Sequence, residues 1–149
     1  MSISLQPVTA DNWYECTTLQ VTPEQLGVFP APVVYWIAES KYVHEFELRA
    51  VYSGDTAAGF IVFCTEPDED GNYWIPALMI DHRHQGNGYG KQALTRLIQF
   101  MSSSYNCTRI MIGHRPDNTA AGSLYEALGF IQVNEEPVDG EIIRLLQII

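Results

Sequence analysis

The chain has 149 residues, enough for one domain that buries roughly 70% of its unfolded surface. With 46% hydrophobic and 17% charged residues it has the composition of an ordinary globular protein, and no apolar run approaches the ~20 residues of a membrane span. Eighteen acidic against eight basic side chains give a formal net charge of −10, a field that repels nucleic acid and anionic membrane and attracts cations.

Two readings of that acidity stand side by side: solubility, and a cationic substrate. The first residues show no basic region followed by an apolar one, so no secretory signal is read there and a cytoplasmic location is expected. Cys16, Cys64 and Cys107 are scattered and show no CxxC spacing. They read as buried free thiols, not as a disulfide framework or a zinc site.

In chain order, Ser2 to Val8 alternates weakly and reads as a first strand. Thr9 or Asp11 caps a helix over Asn12 to Gln20, with Trp13, Cys16, Thr17 and Gln20 at helical spacing. Pro23, Gly27, Pro30 and Pro32 then break the chain into a loop, and Val33 to Tyr42 reads as a second short helix. Phe46 to Tyr52 and Ala57 to Thr65 are strands joined by the hairpin turn Ser53-Gly54-Asp55. An acidic loop, Glu66 to Asn72, precedes a strand over Tyr73 to Ile80. From Gly90 to about Ser104 the residues Ala93, Leu94, Leu97, Ile98 and Met101 mark a helix with one buried face. Thr108 to Gly113 is a short buried strand, parallel to the one before that helix through a right-handed crossover. Asp117 and Asn118 cap a further helix that ends at Gly129, and Phe130 to Asn134 and Glu141 to Ile149 are strands joined by a turn at Pro137 to Gly140. The order is α+β, as one domain over residues 1–149: an antiparallel front half, one βαβ crossover, then a helix and a hairpin.

Between the strand at Tyr73 to Ile80 and the following helix lies Asp81-His82-Arg83-His84-Gln85-Gly86-Asn87-Gly88-Tyr89-Gly90-Lys91. Strand, glycine-rich turn, helix start is the order that gathers backbone N–H groups at a helix N-terminus, where they bind an anion, usually a phosphate. A P-loop would need Gly at 85 and Ser or Thr at 92, and both positions are Gln. The dinucleotide fingerprint GxGxxG does not match glycines at 86, 88 and 90, and no acidic residue closes a second strand ~20 positions on. His82 and His84 lack a third ligand, so no metal is expected.

Gln85, Gly88 and Gly90 do fit Q-x-x-G-x-G, the pyrophosphate-binding signature of the GNAT superfamily of N-acetyltransferases. Asn118, Ala121, Tyr125, Gly129 and Phe130 fit that superfamily's N-x-x-A-x-x-x-Y-x-x-x-G-F helix. The chain thus resembles the superfamily along nearly its whole length. Within it, the chain is most similar to the bacterial spermine/spermidine (diamine) N-acetyltransferases, through Val8 to Asn12, the Gly59 strand, the acidic loop, Ile80-Asp81 and Asn106 to Ile110.

The resemblance implies a mixed, mostly antiparallel sheet of about seven strands flanked by about four helices. It implies acetyl-CoA as co-substrate, no metal, and a small cationic amine as acceptor, with spermidine or spermine foremost. An aminoglycoside-like antibiotic, a protein N-terminus, or a sensor domain that binds acyl-CoA without catalysis are the alternatives. A homodimer is also implied, with Ile142 to Ile149 as a contact.

Backbone N–H groups of Gln85, Gly86, Asn87, Gly88, Tyr89, Gly90 and Lys91 are expected to bind the pyrophosphate, the glycines leaving no β-carbon in its way. The Lys91 side chain either adds charge or is simply solvated. Leu78, Met79 and Ile80 are expected to splay from the neighbouring strand and pair with pantetheine, a backbone N–H of Met79 or Ile80 stabilising the oxyanion. Asn118 and Ala121 belong to the same cofactor site. Tyr125 is the expected general acid, donating its proton to the CoA sulfur, against the alternative of a tyrosine packed on Ala121 and Leu128. No cysteine lies near either motif, so direct attack in a ternary complex is expected. The base is not assigned: Trp74-Ile75-Pro76-Ala77 offers no carboxylate, which leaves Glu39, Glu66, Asp68, Asp81, His114 or a chain of waters.

Overall fold

The computed structural model describes residues 2–26 and 31–148. Gly27 and Pro30 of the expected loop, and Ile149 of the expected last strand, lie outside the described residues. In chain order the elements are β1 (Ile3–Pro7), α1 (Trp13–Thr17), α2 (Val33–Glu39), β2 (Phe46–Ser53), β3 (Thr56–Cys64), β4 (Tyr73–Ile75) and β5 (Ala77–Ile80). They continue with α3 (Tyr89–Tyr105), β6 (Arg109–His114), α4 (Thr119–Ala127), β7 (Ile131–Gln132) and β8 (Ile142–Gln147). Pro23–Gln25 and His82–His84 are single 3-10 turns.

The α+β class stands, and the expected strand over Tyr73 to Ile80 is two strands. Pro76 has no N–H to give a ladder, so continuous pairing ends there. Before it, β4 runs parallel to β6; after it, β5 runs antiparallel to β3. The result is two four-stranded sheets, β1-β2-β3-β5 and β4-β6-β8-β7. The expected crossover pair is therefore β4 with β6 alone. Within the second sheet β8 is flanked by β6 and β7, so Arg144 and Leu145 present no open edge to another chain.

Burial explains the sequence of β3. Ala57 through Cys64 is buried without interruption because the sheet is covered on both sides. Alternation sends Ile61 and Phe63 into a core with Leu94, Leu97 and Met101 of α3, and Phe60 and Val62 into a second core with Cys16 of α1 and Val33 of α2. Helix α1 is shorter than its apolar pattern suggested and starts after Asn12, whose side-chain Oδ1 accepts from Thr9 N at 2.7 Å. Strand β7 keeps only two residues of the expected Phe130 to Asn134.

Gly59 sits where β3 meets β5. A β-carbon there would stand 2.5 Å from Met79 O and 2.8 Å from Ile80 Cδ1. Asp81 ties the end of β5 to the rest of the fold: its N–H donates to Ala58 O at 2.8 Å, and its fully buried carboxylate accepts from Gln20 N, Arg83 N and Arg83 Nε at 2.8 to 3.0 Å. Burial opposes ionisation of this carboxyl, but the hydrogen bonds from Arg83 and Gln20 and the Arg83 charge outweigh it and hold the pKa below the usual carboxylate range.

Gly59→Ala should cost about 1–3 kcal/mol of stability by overpacking, read from urea unfolding; an unchanged midpoint would show that β5 shifts freely. Asp81 titrates lower folded than unfolded, so its stabilisation is present above the unfolded value of about 3.9 and is lost as pH falls through the folded pKa. Asp81→Asn should therefore lower stability by about 1.5–3 kcal/mol at neutral pH. The gap from the native chain should close on acidification, and a gap independent of pH would rule out the charge as its cause.

Candidate active site

The parting of β5 from β6 leaves one edge of β5 open. Asp81 N points to β3, and antiparallel alternation then turns Met79 toward β3 as well, and Leu78 and Ile80 away from it. The acceptor used by the turn agrees: Ile80 O receives Gln85 Nε2 at 2.9 Å. Of the two N–H groups named for the oxyanion, only that of Ile80 is free of the ladder.

Most of the expected cofactor residues come together in one cleft of about 560 Å³. Leu78, Met79 and Ile80 line it from β5, Gln85, Gly86, Gly88, Tyr89 and Gly90 from the turn, and Asn118, Ala121 and Tyr125 from α4. Asn87 and Lys91 are exposed and outside its lining. Val21, Glu24 and Gln25 also line it, from a stretch that the sequence marks only as a loop.

The glycines act through conformation more than through space. Gly86 and Gly88 have φ of 83° and 77°, the left-handed region, while nothing lies within 4 Å of a β-carbon at either position. Gly88 is the N-cap of α3, so its turn aims the first N–H groups of that helix outward. At Gly90 the φ is ordinary and a β-carbon would meet only van der Waals neighbours. Side chains brace the turn: Gln85 and Gln25 exchange amide hydrogen bonds at 2.9 and 3.1 Å, Asn87 Nδ2 donates to His84 O at 3.0 Å, and Ser53 Oγ donates to Tyr89 Oη at 3.1 Å.

Helix α4 is fixed at both ends. Asn118 Oδ1 accepts from Ala121 N at 3.2 Å, so the capping role holds, and its amide NH₂ stays available to the cleft. At the other end Gly129, at φ 98°, closes a Schellman motif: Phe130 N donates to Tyr125 O and Gly129 N to Glu126 O, both at 3.0 Å. The Phe130 ring packs 6.0 Å from that of Tyr125. The motif thus anchors Tyr125 itself. Its hydroxyl has no protein hydrogen-bond partner among the described residues and faces the cleft. Burial, and secondarily the charge of Glu141, push its pKa up to about 12.

None of the base candidates lines this cleft. Glu39 is exposed at the end of α2. Glu66 is held by His44 Nε2 at 2.7 Å, and Asp68 accepts from Trp74 Nε1, Asp70 N and Asn72 N. Burial works against Asp68, but these hydrogen bonds hold its pKa below the ordinary range. The expectation that Asp81 or His114 is the base meets a physical obstacle in each. Asp81 is spent on the turn, and both His114 ring nitrogens are engaged, Nδ1 with Arg115 O at 2.9 Å and Nε2 by Arg144 Nε at 3.0 Å. Two carboxylates that the sequence does not single out, those of Glu24 and Asp117, line the cleft with Tyr125, and the charge of a third, Glu141, reaches the phenol from outside the lining.

No helix of the described residues is long and apolar enough to cross a membrane. The model of the Acetyltransferase (GNAT) family matches residues 11–130. A spermine/spermidine N(1)-acetyltransferase of Bacillus subtilis is 31% identical over 153 residues, spanning 99% of this chain and 100% of that protein. Among solved structures, spermidine N-acetyltransferase from Vibrio cholerae in complex with CoA and spermine superposes with a TM-score of 0.78 at 13% identity, over 99% of this chain and 95% of that one. A GNAT family acetyltransferase from Elizabethkingia anophelis with acetyl-CoA bound has a TM-score of 0.70 at 19% identity, over 99% of both chains. The chain belongs to the GNAT family and is an acyltransferase.

Proposed function

We propose that this protein transfers the acetyl group of acetyl-CoA to a primary amine of a polyamine, spermidine or spermine, by direct attack in a ternary complex. The observation that carries the reading is the meeting, in one cleft, of a left-handed glycine turn at a helix N-terminus, a free strand edge and the Tyr125 hydroxyl. The polyamine acceptor is supported by the Bacillus relative's name and by a net charge of −10, which draws a polycation.

The site fits CoA. Open space beside Gly86 and Gly88 leaves room for a pyrophosphate at the start of α3, where N–H groups and the helix dipole favour an anion. The outward main-chain groups of Leu78 and Ile80 suit an extended pantetheine arm, as an added strand would. Asn118 offers its amide to the same arm. Acetyl-CoA supplies the acetyl group as an activated thioester.

The Ile80 N–H is then available to the oxygen on which negative charge develops, an interaction worth about 3–4 kcal/mol in other acyl-transfer sites. Tyr125 holds the proton for the departing sulfur, and a pKa pushed up to about 12 keeps its hydroxyl protonated throughout the physiological range. The buried cysteines take no part: burial pushes Cys16 and Cys64 up to about 11, and among the described residues no cysteine lines the cleft.

A thiol-release assay with acetyl-CoA and a panel of amines tests the reading. Turnover with spermidine and spermine but not with peptides or aminoglycosides is expected, and the reverse pattern would refute the acceptor. Tyr125→Phe removes a hydroxyl without a protein partner, so the fold should persist while kcat falls on the order of 10²-fold at unchanged acetyl-CoA affinity. An unaltered kcat would remove Tyr125 as the acid. Gly88→Val forces a β-branched residue into a left-handed turn and should abolish CoA binding in calorimetry; retained binding would mean the anion lies elsewhere.

A further inference from the structure

At the C-terminal end of β6 the two faces of the sheet carry different chemistry. The register sets His114 opposite Ile142 and Gly113 opposite Ile143, and side chains alternate along each strand. His114 and Arg144 therefore share the face that meets α4. Gly113, Ile143 and Glu141 share the other. On that face Glu141 lays its carboxylate across Gly113: a β-carbon there would overlap Oε2 and stand 3.2 Å from Cδ. Glycine alone leaves the space.

This carboxylate is half-buried, and among the described residues it has no hydrogen-bond or ion-pair partner. The Arg115 guanidinium lies close by, 3.2 Å from a β-carbon position on Gly140, yet forms no ion pair with Glu141. Past Ile112 the edge of β6 away from β8 has lost β4, and Gly113, over which the Glu141 carboxylate lies, is the first residue beyond that pairing. It is also near enough to Tyr125 for its charge to reach the phenol. Partly open to solvent and held by no described side chain, the carboxylate can receive a compact cation with several donors, and a primary ammonium is such a cation.

We propose that Glu141 is an acceptor-binding residue of this acetyltransferase: its carboxylate, seated in the space that Gly113 leaves, receives the ammonium end of the incoming amine, whose proton passes to solvent water before the neutral nitrogen attacks. The assignment rests on the amine-acetylation reading above. It makes Gly113 and Glu141 a matched pair, the first required for the second to reach the site.

Steady-state kinetics on the full chain, with acetyl-CoA and spermidine as substrates, test it. Glu141→Gln should raise the spermidine KM on the order of 10- to 100-fold, with a smaller change in kcat and none in the acetyl-CoA KM. Glu141→Asp should recover part of the loss. Gly113→Ala, whose methyl takes the carboxylate's place, should reproduce the Glu141→Gln pattern; if that variant fails to fold, Glu141→Gln decides alone. An unchanged spermidine KM in Glu141→Gln overturns the proposal, and so does a loss shared equally with acetyl-CoA. The native chain separates this from the reading beneath it. If it acetylates a different amine instead of spermidine, only the acceptor's identity falls and the same KM comparison applies to that amine. If it acetylates no amine, both fall.

Discussion

Everything at the centre of this molecule depends on a strand that changes partner. Tyr73 to Ile80 begins beside β6 and ends beside β3, and the exchange happens at the residue that cannot donate a hydrogen bond, Pro76. Below Pro76 the two sheets are joined through β4; above it they diverge. An unpaired strand edge is ordinarily a hazard, because its N–H and C=O groups invite another chain. Here β5 is short and its open edge faces a cleft whose other walls are the glycine turn and α4. On the proposed reading, this edge is what an extended pantetheine arm pairs with.

Precision at the cleft comes from its supports. Asp81 spends a buried charge on three N–H donors and so fixes where β5 ends and the turn begins. Gln85 ties that turn to Ile80 and to Gln25. On the far wall, the Schellman closure at Gly129 holds the Tyr125 carbonyl, and Phe130 holds its ring, which leaves only the hydroxyl at liberty. A tyrosine placed in this way is compatible with both descriptions, the packed residue of its spacing and the proton donor that the resemblance implies. Burial makes the two compatible, because it removes water from the ring and keeps the proton on the oxygen.

The turn and the helix caps that border the cleft were legible in the sequence because their physics is local. A left-handed glycine, a helix cap and a C′ glycine act within a few residues of themselves, so Gly88, Asn118 and Gly129 could be read from spacing. The division at Pro76 was half legible: a proline that breaks a ladder is visible, whereas the choice of β3 for one half and β6 for the other needs the tertiary fold. The short ends of α1 and β7 show the same limit, since apolar periodicity continues past the point where packing stops. The contacts that occupy the base candidates were not legible at all. Asp81 and His114 have the right chemistry for a base, and only their long-range partners, Gln20 and Arg144, show that they are occupied. Glu141 lies 28 positions from Gly113 along the chain, and no pattern in either segment announces that they touch.

The end of β6 shows how glycine governs both faces of one strand. Facing α4, His114 accepts from Arg144 through Nε2, which leaves Nδ1 to donate to Arg115 O and gives the ring a single tautomer. That arrangement requires Gly122, where a β-carbon would press within 3.1 Å of the imidazole. On the opposite face Glu141 requires Gly113. One missing side chain admits a satisfied histidine that stiffens the wall behind Tyr125; the other admits an unsatisfied carboxylate beside the parting of the sheets. On the proposed reading, the α4 face of β6 gives support and its other face receives the incoming amine, so that donor and acceptor approach the parting from opposite sides of the same sheet.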